Sequence, residues 1–169
     1  MNDSKRKFYM DKALKQAFIA FKKGEVPIGA VVINSNGDIL SRAYNKTEKN
    51  GCQVYHAEVL AIKKACKKIG TWRLDGCSIY VTIEPCLMCF GLIQLSRIEN
   101  LYFGASCKEF GSGLAKARKH KLYRKNLKIS GGIEEKRCIK LIKDFFIILR
   151  KKRREYSETK NGISRKSEE

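Results

Sequence analysis

Extended apolar runs and helical periodicities take turns along this chain, and that alternation narrows the architectures open to it. Apolar residues recur at Phe8, Met10, Ala13, Leu14, Ala17, Phe18 and Phe21, with lysines on the other face, so a helix is expected there, closed by Gly24. "PIGAVVIN" follows as a buried strand. "NSNGD" is a hairpin turn, tightest at Asn36 and Gly37, and "ILSRAYN" is the returning strand. After a loop, "KTEKNGCQVY", a second helix starts near His56 and runs through Leu60, Ala61 and Ala65 to Gly70. "CSIYVTI" is a third strand, and "PCLMCFGLIQLS" a third helix with Pro85 at its first position. "IENLYFGAS" is a fourth strand, "KEFGSG" a loop, and residues 127–133 hold a short fifth strand. Ile139, Leu141, Ile142, Phe145, Phe146 and Leu149 mark a closing amphipathic helix. Strands alternating with helices predict an α/β layered domain. The expected organisation is one domain over residues 1–155, then a basic and polar tail, 156–169, whose composition predicts disorder.

Two of the predicted helix starts carry unusual side chains. "HAEV" places His56 and Glu58 at the head of one helix, and "EPCLMC" places Cys86 and Cys89 at the head of the next. Cysteines three apart share a helix face, and a helix N-terminus favours thiolate over thiol. One imidazole and two thiolates form a nitrogen and sulfur donor set suited to Zn²⁺. Three protein ligands leave a fourth position open, as in catalytic zinc sites, where the pKa of a bound water falls toward about 7. Glu58, two residues from His56, can then carry protons. A redox pair would need a thioredoxin-like context, which is absent. A purely structural zinc would need a fourth ligand, for which His120 or another cysteine is available in the sequence. The chain has seven cysteines, an odd total, and the five others read as small buried hydrophobes rather than a disulfide framework.

Charge narrows the partner. With 36 Lys and Arg against 17 Asp and Glu, the net charge is +19, which favours a polyanion such as nucleic acid. No apolar run reaches the roughly 18 residues of a membrane span, and "MNDSKRKFYMDKALKQ" lacks a signal-peptide core, so a cytoplasmic location is expected and no membrane association.

H-x-E followed by P-C-x-x-C is the signature of zinc nucleobase deaminases, in which the Glu is acid and base and not a ligand. Through "GEVPIGAVV", "HAEVLAI", "SIYVTIEPCLMCFGLIQLSRI", "LYFGAS" and "DFFIILRKKRR" the chain resembles the bacterial tRNA-specific adenosine deaminases, over roughly residues 13–154. The resemblance implies a cytidine-deaminase-like fold in three α-β-α layers, a mixed five-stranded sheet with helices on both faces. It also implies a homodimer that converts adenosine to inosine at the wobble position of tRNA, with the anticodon stem-loop as partner and one Zn²⁺ per chain. By the same resemblance His56, Cys86 and Cys89 hold the metal and Glu58 is catalytic. Asn45 would contact the flipped adenine, Ile28 would form an apolar wall, and the backbone at Ala57 and Glu84 would lie beside the reacting groups. Independently, Asn is the side chain that suits adenine's paired donor and acceptor, though "AYN" also reads as a strand-ending turn. The chain departs from the family pattern at "CQVY", where Asp-Pro-Thr-Ala is usual, at Cys107, where Asp is common, and at "NLKIS", which lacks a common His. Two other classes are compatible with parts of the pattern. One is a deaminase of a free base or nucleoside (guanine, cytosine or cytidine), which does not need the charge. The other is a zinc-stabilised RNA-binding protein, which does not need Glu58.

Overall fold

A computed structural model of the chain describes residues 2–107 and 127–165, with side chains as far as residue 158. The loop expected at "KEFGSG" and the alternative ligand His120 lie outside the described residues. Helix α1, Asp3–Lys22, starts where Asn2 Oδ1 accepts from the Lys5 amide at 3.0 Å, and ends at Lys23, before Gly24 at φ +74°. Strands β1, Gly29–Ile33, and β2, Ile39–Tyr44, form the expected hairpin, with Gly37 at φ +92°, a conformation open to glycine. The stretch read as loop contains a single helical turn, α2, Thr47–Asn50, and a 3₁₀ turn, Gln53–Tyr55. The buried Glu25 carboxylate explains the first, because it accepts from the Glu48 and Lys49 amides at 3.0 and 2.8 Å.

Helix α3, Ala57–Ile69, strand β3, Ser78–Ile83, helix α4, Leu87–Leu95, and strand β4, Asn100–Ala105, follow in the expected order. Strand β5 is Lys128–Ser130 and helix α5 is Glu135–Arg165. One expectation needs correction. Pro85 is not the first residue of α4: the chain stays extended through Cys86, because the Glu84 amide still donates to Ala105 O at 2.8 Å, and the first helical bond runs from the Phe90 amide to Cys86 O. Within the stretch from residue 156, the backbone of α5 is helical as far as Arg165. Extending a formed helix costs far less than starting one, so α5 runs on past its apolar part.

The sheet order is β2-β1-β3-β4-β5, antiparallel on either side of β1 and parallel from β3 to β5. Strand β1 is buried on both faces, and alternate residues serve different layers. Ala30 and Val32 pack with Ala61, Ile62 and Ala65 of α3 and Phe90 and Ile93 of α4. Val31 and Ile33 pack with Met10, Ala13 and Leu14 of α1 and Cys138 of α5. The pattern predicted an α/β layered domain, and the three-layer mixed sheet is the one the family resemblance implied. The register brings four strand ends to one edge: Gly29 faces Tyr44, Ala30 faces Val81, and Ile83 faces Ala105. The residues just beyond those ends are therefore neighbours, although they are far apart in sequence.

Candidate metal centre and cleft

Helices α3 and α4 begin at that same sheet edge. His56 and Cys86 occupy the residue before each helix, both extended and neither making a side-chain capping bond, so their donor atoms are available to each other. His56 Nδ1 lies 3.7 Å from Cys86 Sγ and 3.4 Å from Cys89 Sγ. The three donor atoms all fall within 4.8 Å of one another, and among the described residues no further His, Cys, Asp or Glu joins them. Their protonation is shared. Hydrogen bonding with Cys89 and His56 draws Cys86 down to about 4, while bonding to Cys86 and then burial push Cys89 up. His56 is raised, first by its bond with Cys86. A compact set of this kind exchanges its protons for a cation, and its imidazole and two sulfurs match the ligand chemistry of Zn²⁺.

Glu58 stands on the first turn of α3 with 2% of its surface exposed, and burial raises its pKa. Its Oε2 has no hydrogen-bond partner among the described residues. A buried carboxylate oxygen without a partner is costly, so a ligand or water-borne group completing it fits the site better than a structural role. The carboxylate also lies beside the Cys89 thiol.

His56, Glu58 and Cys86 line a cleft of about 950 Å³. Ile28, Asn45 and Glu84, singled out from the sequence, line it as well, as do Gln53 and Cys107, where the chain departs from the family pattern. Ala57 is fully buried at the start of α3 and does not line it. Asn45 is buried. Its Nδ2 donates to Glu25 Oε2 at 3.2 Å, and its Oδ1 accepts from Thr47 Oγ1 at 2.9 Å. Glu84 Oε2 accepts from the Cys107 amide at 3.1 Å, joining the ends of β3 and β4.

Sequence reasoning missed two contributors. Glu25 was visible only as a lone acid in "GEVPIG", between a basic helix and a buried strand. The cleft wall formed by Ile142, Phe146 and Arg150 of α5 was visible only as periodicity, which reports an apolar face but not what it covers.

Residues 3–105 match the family described as the cytidine and deoxycytidylate deaminase zinc-binding region. A tRNA-specific adenosine deaminase of Bacillus subtilis (strain 168) is 44% identical over 148 residues, covering 86% of this chain and 91% of that protein. One from Aquifex aeolicus (strain VF5) is 45% identical over 106 residues, 63% of this chain and 70% of that one. Among solved structures, one from a study of A-to-I editing by tRNA:A34 deaminases at the wobble position of transfer RNA superposes with a TM-score of 0.75 at 34% identity, covering 79% of this chain and 98% of that chain.

Proposed function

The chain belongs to the deaminase family marked by the cytidine and deoxycytidylate deaminase zinc-binding region, and from that membership we infer that it is a zinc-dependent hydrolase that converts adenosine to inosine at the wobble position of tRNA. The observation that carries this reading is a cluster of one imidazole and two thiols at the wall of a cleft, beside a buried carboxylate oxygen with no partner among the described residues, in a chain 44% identical to a tRNA-specific adenosine deaminase. His56, Cys86 and Cys89 hold the metal. A zinc ion held there would lower the pKa of a water toward about 7. Glu58 Oε2 is the proton carrier. It takes a proton at the start, delivers it to the ring nitrogen of the base, and assists departure of the amine as ammonia. Burial suits it to this work, because a carboxylate whose pKa is raised holds a proton more readily than an exposed one. Water and adenosine are consumed and inosine and ammonia are formed.

Asn45, Ile28 and the backbone at Ala57 and Glu84 form the base-binding part of the site. A base reaches it only after leaving its stack, which loop nucleotides do at low cost. The anticodon stem-loop is the partner, held through the net charge of +19 and the basic stretch "RKKRR" that leaves the cleft wall on α5. The protein works in the cytoplasm as a homodimer. Supporting the dimer, α4 carries Leu87, Met88 and Leu95 within one third of its circumference, with Leu87 and Leu95 exposed at 68% and 70%. No helix among the described residues is long and apolar enough to cross a membrane.

The test compares inosine formation from an anticodon stem-loop carrying a wobble adenosine with deamination of free adenosine, cytidine, cytosine and guanine. Turnover of the stem-loop with little on the free compounds is expected. Faster turnover of a free base or nucleoside would assign the protein to small-molecule deamination instead.

A further inference from the structure

Resting on that reading of the cleft, we propose that Glu25 is a positioning residue that fixes which way round the Asn45 amide meets the substrate base. Glu25 lies in the turn after α1, where its amide donates to Ala20 O at 3.1 Å, and its side chain is 2% exposed. It does not line the cleft, so it touches no substrate. Its carboxylate instead gathers three donors, two of them from the cleft-lining residues Asn45 and Glu48. Oε2 accepts from Asn45 Nδ2 and from the Glu48 amide, and Oε1 accepts from the Lys49 amide. Asn45 is tied twice more, by Thr47 Oγ1 donating to its Oδ1 and by its own amide donating to Ile28 O at 3.0 Å.

An Asn side chain has two faces of opposite hydrogen-bonding sense, and turning it by half a revolution exchanges them. A carboxylate can only accept, so Glu25 excludes the rotamer that would aim Oδ1 at it. The second N–H of Nδ2 and the second lone pair of Oδ1 then remain for a ligand, in a fixed order. Adenine presents an adjacent donor and acceptor, and such an edge matches one order and opposes the other. Both carboxylate oxygens are needed. An amide at position 25 would offer one acceptor to three converging donors and bring two N–H groups of its own.

The experiment uses the zinc-loaded full chain and a stem-loop with a wobble adenosine. Wild type, Glu25→Gln, Glu25→Asp, Asn45→Ala and the Glu25→Gln/Asn45→Ala pair are compared for kcat, KM, zinc content and melting temperature. Glu25→Gln is expected to keep its zinc and lower kcat by roughly 10-fold to 10²-fold through misplacement of the base. KM should change little, because remote phosphates supply most of the binding. Glu25→Asp, which retains two acceptor oxygens, should recover part of the loss. The double variant should be no slower than Asn45→Ala alone, since Glu25 acts through Asn45. Losses that multiply in the double variant would overturn the proposal, and so would normal kcat in Glu25→Gln. Loss of zinc or of folding in both Glu25 variants would also overturn it, making the residue purely structural. Failure of the functional reading is distinguishable, because wild type itself would then leave the stem-loop unchanged.

Discussion

In the proposed mechanism Glu58 and the cysteines have separate tasks, and single substitutions separate them. Glu58→Ala removes a proton path but no donor of the metal set, so zinc and fold should persist. Turnover should fall by about 10²-fold to 10⁴-fold or more, the usual worth of a positioned acid or base. Single-turnover kinetics alongside elemental analysis reads both quantities, and near-normal turnover would make Glu58 an ordinary helix residue. Cys86→Ala leaves one thiol and one imidazole facing a gap in the donor set, and zinc content measured after dialysis should collapse. Cys52→Ala, at an exposed position away from the donor set, should keep its zinc. At this scale the cluster of His56, Cys86 and Cys89 with the carboxylate of Glu58 beside it was legible in sequence, because each rests on a side-chain type at short, regular spacing. Glu25 was not legible, because its partners, Asn45 and the amides of Glu48 and Lys49, lie twenty or more residues away.

Helices α1 and α5 decide how the sheet edge is presented. α1 lies so close to β1 at Gly29 that a Cβ there would fall 2.5 Å from the Ala17 amide nitrogen and nearer still to Ala13 O, both backbone atoms unable to swing aside. Gly29→Ala is therefore expected to cost about 3 kcal/mol or more by overpacking. That corresponds to a melting temperature roughly 6–12 °C lower for a chain of this length, read by calorimetry. Gly29 adjoins Ile28, so the same shift should disturb the cleft. On α5, Arg150 lines the cleft and opens the run "RKKRR". Ending the chain at Leu149 should flatten the dependence of RNA affinity on salt, by about 0.7 in slope for each single-strand phosphate no longer neutralised. Filter binding over a salt series measures it. An unchanged slope would move the phosphate-binding residues to other basic faces.

The whole molecule presents one more surface, the exposed leucines of α4 on the layer away from α1 and α5. If copies pair there, wild type should sediment as a dimer, and Leu95→Glu, which places a charge at the C-terminal end of the stripe, should shift it to monomer at micromolar concentration. Sedimentation velocity decides this, and a dimer unaffected by the substitution would place the interface elsewhere.

Local information suffices for much of this protein. The order of strands and helices, the hairpin at Asn36 and Gly37, and the pairing of a His-x-Glu helix start with a Cys-x-x-Cys helix start all depend on residues a few positions apart, where periodicity and turn chemistry act directly. The limits of local reading show at Pro85, whose ring suits a helix start. The ladder bond from the Glu84 amide to Ala105 O, a tertiary contact, keeps the chain extended there, and the helix starts at Leu87. They show again at Thr47–Asn50, a polar stretch given a helical turn by a carboxylate more than twenty residues upstream. Strand register and helix placement decided the rest: that Ile28, Asn45, Glu84 and Cys107 meet at one sheet edge, and that α5 closes over them. Those meetings join distant segments, so their geometry is set by how the layers pack and is written in no single stretch of the chain.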